Sequence, residues 1–141
     1  MTRIDFYILK DTGGNGQPLF TCRLTEKAFQ QGHRVYINTT SAIQLKQLDD
    51  LLWTFRAGSF LPHAIVGAAG TRGHPVLLGH ESEPQDSNDV LINLSNDVPP
   101  YFSRFNRVAE LVSGEASQRS AARERYRFYK DRGYTLNTHE I

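Results

Sequence analysis

The sequence predicts an α/β fold: a single domain over residues 1–141, with a mostly parallel sheet flanked by helices. Two observations predict it. Segments of strand character alternate with segments of helical periodicity along the chain. Runs such as Phe6-Tyr-Ile-Leu9 and Val90-Leu-Ile92 are continuously apolar, as strands covered on both faces are.

Ile4 to Leu9 is rich in aromatic and β-branched residues and reads as a buried strand. Asp11 to Pro18 is a turn-rich loop. Leu19 to Gln31 reads as a helix, with Leu24 and Ala28 flanked by Phe20 and Phe29 on its apolar side, and Gly32 ends it. Arg34 to Asn38 is a second strand. Ser41 caps a second helix, in which Leu48, Leu51, Leu52 and Phe55 follow the i, i+3, i+4, i+7 spacing of an amphipathic face. Ser59-Phe-Leu-Pro-His63 reads as a loop, Pro75 to Leu78 as a strand, Ser82 to Asn88 as a polar turn and Val90 to Leu94 as a strand. Val108 to Val112 fits strand or helix. A last helix starts near Ser117 and stops at Gly133. Neither a repeat nor a linker divides the chain.

Composition narrows the function classes. No apolar run approaches bilayer-spanning length, and the charged N-terminus is too short in apolar residues for a signal peptide. The single cysteine, Cys22, forms no internal disulfide and reads as a buried small hydrophobe. A cytoplasmic location with no membrane contact is expected. The net charge is only +1, which disfavours a general nucleic-acid binder. The balance is uneven: cations gather in the last helix, while Glu81, Glu83, Asp86 and Asp89 make the middle acidic. Such a local field suits a local acidic target.

Most catalytic constellations fail. The first loop carries Gly13, Gly14 and Gly16, but a dinucleotide fingerprint needs a further glycine where Leu19 stands, and no Gly-Lys-Ser or Gly-Lys-Thr occurs. A nucleotide-binding enzyme using the Gly13–Gly16 loop is therefore the rival reading. His33, His63, His74, His80 and His139 lack metal-ligand spacing. There is no Gly-x-Ser-x-Gly elbow, and Cys22 has no identifiable base partner. No catalytic residue, metal or cofactor is expected.

Two features survive. Leu51, Leu52, Trp53, Phe55, Phe60, Leu61 and Pro62 form an apolar cluster. It reads as core for the leucines, whereas Trp53, Phe60 and Pro62 are harder to hide together and suit a partner surface. The second feature is the last helix. Arg119, Arg123, Arg127 and Lys130 recur at steps of four, four and three and share one face. Ala122, Tyr126 and Tyr129 make an adjoining apolar stripe, with Tyr126 on the seam. This is either a solvated charged face or a ridge for an acidic partner that also buries an apolar group. Base stacking of single-stranded DNA on Tyr126 or Tyr129 is a further possibility, against which the near-neutral net charge argues.

Several motifs run in order from end to end: Asp5-Phe-Tyr7, Gly32-His-Arg-Val35, Leu48-Asp-Asp-Leu-Leu-Trp53, Ser59-Phe-Leu-Pro-His63, Asp89-Val-Leu-Ile-Asn-Leu94, Arg123-Glu-Arg-Tyr-Arg127 and Gly133-Tyr-Thr-Leu-Asn-Thr138. Together they resemble the chi subunit of the bacterial DNA polymerase III holoenzyme, a non-catalytic accessory of the clamp loader. The resemblance implies a Rossmann-like domain without nucleotide chemistry, and two partners. One is the psi subunit, which bridges to the clamp loader and whose surface would involve Trp53, Phe60, Leu61, Pro62 and His63. The other is the acidic C-terminal tail of single-stranded DNA-binding protein, ending in Ile-Pro-Phe. By resemblance that tail would bind through Arg123, Tyr126 and Arg127, with Arg119 beside them. On this reading Arg123 would hold the terminal carboxylate, Tyr126 would wall the phenylalanine slot, and Arg119, Arg127 and Lys130 would steer the acidic residues. No specific direct DNA contact is expected.

Overall fold

The structure, a computed structural model, describes residues 2–10, 16–58, 61–66, 74–84 and 87–141. Its elements are β1 (Arg3–Ile8), α1 (Gly16–Gln30), β2 (Val35–Asn38), α2 (Ala42–Thr54), β3 (His63–Ile65), β4 (Val76–Gly79), β5 (Val90–Asn93), β6 (Arg107–Val112), α3 (Ala116–Asp131) and β7 (Thr135–Glu140). The strands form one parallel sheet in the order β3-β4-β2-β5-β6-β1-β7. This is the predicted Rossmann-like α/β plan.

The chirality of parallel crossovers decides which helix covers which face. The chain moves one way across the sheet from β1 to β2 through α1, and from β2 to β3 through α2. It moves the opposite way from β4 to β5, from β5 to β6, and from β6 to β7 through α3. Crossovers of one hand put opposite directions on opposite faces. Accordingly Cys22 of α1 and Leu48 and Leu52 of α2 pack on Val35, Ile37, Ile92 and Leu111 on one face. Ala122 and Tyr129 of α3, with Phe102 of a short 3-10 turn, pack on Ile4, Phe6, Leu91 and Val108 on the other.

Local chemistry fixes the element ends. Ser41 accepts the Gln44 N–H at 3.0 Å while Gln44 Oε1 accepts the Thr40 N–H at 2.7 Å, a reciprocal pair of the capping-box kind. Gly133, at φ 81°, stops α3 in the left-handed region. Gly79 is constrained by space instead: a Cβ there would lie 2.0 Å from the Tyr36 hydroxyl, which donates to Ser82 O at 2.6 Å.

Four points of the sequence reading are refined. The segment Ser59–His63 is not loop throughout, since His63 opens β3. Val108 to Val112 belongs to β6, a buried strand between β5 and β1. The helix expected to start near Ser117 starts at Ala116 with Glu115 as its N-cap, and Ser113 Oγ accepts the Glu115 N–H at 3.3 Å. And β7 is an element that pattern reading did not place. It lies at the sheet edge, so its Thr135-Leu-Asn-Thr-His-Glu140 has no need of an apolar run.

Two buried carboxylates organise the sheet. Glu110 faces α3 with no exposed surface and accepts from Arg125 Nε at 2.9 Å, Tyr129 Oη at 2.6 Å and Asn93 Nδ2 at 3.0 Å. Asp5 faces the other way. It accepts from Arg107 Nε at 2.8 Å and lies 3.1 Å from His139 Nε2 and 3.4 Å from Arg3 Nε. Burial works to raise the Asp5 carboxyl pKa, but His139, Arg107 and Arg3 outweigh it and hold it below the ordinary carboxylate value.

Two outcomes follow from this arrangement. Removing one partner of a buried ion pair strands the other, so Arg125→Ala should lower the unfolding free energy by about 3–5 kcal/mol. Urea denaturation checks it, as a lower midpoint at an unchanged m-value. Asp5 has a depressed pKa, so its stabilisation is present above the unfolded value and is lost as pH falls through the folded one. Wild type should lose stability as pH drops below about 4, and Asp5→Asn should flatten that part of a stability–pH curve.

Candidate partner-binding site

Helix α3 buries Ala122, Arg125 and Tyr129, at steps of three and four, against β6 and its neighbours. Of the apolar stripe of Ala122, Tyr126 and Tyr129, the first and last face inward, and Tyr126 lies on the seam. Arg125, only 5% exposed, takes the middle place and reaches Glu110, while its Nη1 donates to Asn96 O at 3.1 Å. Tyr126 is left at the margin, 37% exposed, with its ring centre 5.4 Å from that of Phe6.

A groove of about 230 Å³ lies between α3 and the β1–β7 edge. Phe6, Ile8 and Val112 make its apolar floor. Arg119, Ala122, Arg123 and Tyr126 form the helix wall, and Thr138 and Glu140 the strand wall. The register explains the convergence: Phe6 is level with Thr138, and Ile8 with both Glu140 and Val112, so all five side chains emerge on the α3 side of the sheet. A broader depression of about 500 Å³ adjoins it and is lined by Arg123, Tyr126, Arg127, Lys130 and Asp131. Arg123 and Tyr126 belong to both hollows. All five residues singled out on the helix, Arg119, Arg123, Tyr126, Arg127 and Lys130, thus lie around one continuous surface.

The charge on this surface is uncommitted in part. Arg127 pairs with Glu124 at 3.1 Å, in an exposed bridge of little energetic weight. Arg119, Arg123 and Lys130 make no ion pair among the described residues. Cations beside an apolar floor can take a carboxylate and an attached hydrophobic side chain together. Sequence reading missed the floor and strand wall of the groove, Phe6, Ile8, Val112, Thr138 and Glu140, and the pair of Glu110 and Arg125 beneath the helix. Glu110 had a signal, since one carboxylate inside Val108-Ala-Glu-Leu-Val112 demands a buried cationic partner.

The second sequence cluster divides. Trp53 is 59% exposed and Pro62 is exposed, but Leu61 is core and His63 is buried. The His63 ring sits 4.4 Å from Trp53, with Nδ1 2.7 Å from Leu61 O and Nε2 3.4 Å from Asp49. Leu61 and His63 therefore support the surface beneath Trp53 rather than form it. Phe60 lies outside the described residues, as do Gly13 and Gly14 of the first loop; Gly16 opens α1. Among the described residues no group of three or more His, Cys, Asp or Glu is placed to hold a metal ion. No described helix is long and apolar enough to cross a membrane. Burial pushes the Cys22 thiol up to about 12, which removes its nucleophilic form at neutral pH.

The chain has clear relatives. A family model described as DNA polymerase III chi subunit, HolC, matches residues 1–137. The DNA polymerase III subunit chi of Pseudomonas aeruginosa is 40% identical over 141 residues, covering 100% of this chain and 98% of that protein. The subunit of the same name in Escherichia coli K12 is 32% identical over 143 residues, with 98% and 97% covered. That of Haemophilus influenzae is 26% identical over 137 residues, with 96% and 95% covered.

The two tyrosines of α3 should behave oppositely. Tyr129→Phe leaves Glu110 Oε2 with only the longer bond from Asn93 Nδ2 at 3.1 Å and should cost about 1–3 kcal/mol. Tyr126→Phe, at the exposed margin, should stay within about 0.5 kcal/mol of wild type. Parallel urea titrations of the two variants check the contrast.

Proposed function

The chain belongs to the DNA polymerase III chi-subunit family, and from that premise we propose that it is a non-catalytic accessory subunit in DNA replication. It binds the acidic C-terminal tail of single-stranded DNA-binding protein on α3 and the psi subunit around Trp53, and so links the clamp loader, through psi, to coated single-stranded DNA. The observation that carries the tail assignment is the α3 groove, where uncommitted arginines border an apolar floor. Arg123 holds the tail's terminal carboxylate with two parallel hydrogen bonds. The terminal phenylalanine enters between Tyr126 and the Phe6–Ile8–Val112 floor. Arg119, Arg127 and Lys130 attract the upstream acidic residues. The psi assignment draws support from the exposure of Trp53 and Pro62, since exposed aromatics of this kind anchor protein interfaces.

A short peptide held in this way should bind with a dissociation constant on the order of micromolar. Fluorescence anisotropy with an acidic peptide ending in Ile-Pro-Phe tests the site. Arg123→Ala should weaken binding about tenfold or more, because a charge-assisted hydrogen bond contributes roughly 1.5–3 kcal/mol. Affinity should also fall as salt rises, since exposed charges are screened over about 8 Å at physiological ionic strength. Equal affinity of wild type and Arg123→Ala would sink the assignment. Trp53→Ala should weaken capture of psi and leave peptide affinity unchanged; loss of both together would show that the two surfaces are not separate.

A further inference from the structure

The groove on α3 is bipolar. Its helix wall presents Arg119 and Arg123, and its strand wall presents Glu140. Glu140 is level with Ile8 on β7, so its side chain shares the sheet face that forms the apolar floor. Its carboxylate is exposed, and neither it nor the two arginines makes an ion pair among the described residues. The groove therefore keeps both charges available to whatever enters it. On the helix side, Arg123 and Tyr126 continue into the depression of Arg127 and Lys130. On the strand side the surface ends at β7, which pairs only with β1.

The geometry points to Glu140 as a residue that orients the bound acidic peptide. This rests on the tail-binding reading above. An acidic peptide with an apolar C-terminal residue has two ways to lie along the surface. In one, the terminal residue occupies the groove and the upstream carboxylates lie over Arg127 and Lys130. Glu140 then meets a single carboxylate, which Arg119 and Arg123 neutralise. In the other, the acidic segment lies in the groove and Glu140 faces several like charges. Glu140 costs some affinity in the first orientation and more in the second, which is discrimination by repulsion.

The test crosses two variants with three peptides, read by anisotropy on the full chain. The parent peptide is acidic and ends in Ile-Pro-Phe; the second is the same peptide amidated at its C-terminus; the third has its upstream aspartates replaced by asparagine. For the parent, Glu140→Gln should tighten binding about two- to fivefold and Lys130→Gln should weaken it about as much, the range expected of exposed charge pairs. Amidation should abolish the gain from Glu140→Gln and spare the loss from Lys130→Gln. Asparagine replacement should do the reverse. A crossed pattern, or no response to Glu140→Gln with any peptide, overturns the orientation while tail binding stands. Failure of the parent peptide to bind wild type at all defeats the tail-binding reading, and the orientation with it.

Discussion

The carboxylate of Glu110 is the group on which the working surface depends. It sits mid-sheet with no contact to water, a position in which an unpaired charge is untenable. Burial drives its pKa up, while Arg125, Tyr129 and Asn93 pull against that by donating to it. Two of those donors come from α3 and one from β5, so the helix is tied to two strands at once. The hydrogen bonding continues sideways. Asn93 Oδ1 accepts from Asn38 Nδ2 at 3.0 Å, and the register aligns Asn38, Asn93 and Glu110 in one row across β2, β5 and β6. Such a row has little freedom to slide, because every member is satisfied by the next.

Rotation of α3 is the consequence that matters for binding. An inward stripe of Ala122, Tyr126 and Tyr129 would turn the helix so that Tyr126 entered the core. Glu110 engages Arg125 instead, which leaves Tyr126 at the margin, with Arg119 and Arg123 beside it on the helix wall of the groove. The buried charge thus sets the helix angle more sharply than hydrophobic matching alone would, in the way single buried polar residues fix register in helical assemblies. Crossover chirality supplies the rest. Among the described residues, two helices cover one face of the sheet, whereas α3, aided by a 3-10 turn, covers the other. That leaves the α3 side of β1 and β7 partly bare, and the bare strip is the groove floor.

Much of this was legible in the residues. The α/β class, the Ser41 cap and the Gly133 stop follow from local rules, and they hold because nothing tertiary opposes them. The five helix residues were legible as a face because helical spacing is a property of the chain itself. What stayed hidden depends on pairings between distant positions. The partnership of Glu110 with Arg125 spans 15 residues, and Phe6 reaches Tyr126 across most of the chain. β7 escaped because an edge strand with polar residues on both faces carries no periodic apolar signal. At the second surface, the loop reading of Ser59–His63 passed over the tie between His63 and Trp53, which needs the fold to bring α2 against β3.

The distribution of cations on α3 also explains how a near-neutral protein can carry a locally basic surface. Six basic residues lie between Arg119 and Arg132. Three are already engaged: Arg125 by Glu110, Arg127 by Glu124, and Arg132 over the face of Phe128 at 3.5 Å. Arg119, Arg123 and Lys130 remain, gathered around two joined hollows. Affinity for a nucleic-acid backbone grows with the number of phosphates neutralised along a track. Three cations around two joined hollows make a short track, with Glu140 lining one hollow and Asp131 the other. A short peptide concentrates its charge differently, with a terminal carboxylate and a few aspartates beside an apolar side chain. For that ligand the burial of Arg125 is no loss, because its pair with Glu110 holds the helix in the pose that the free cations require.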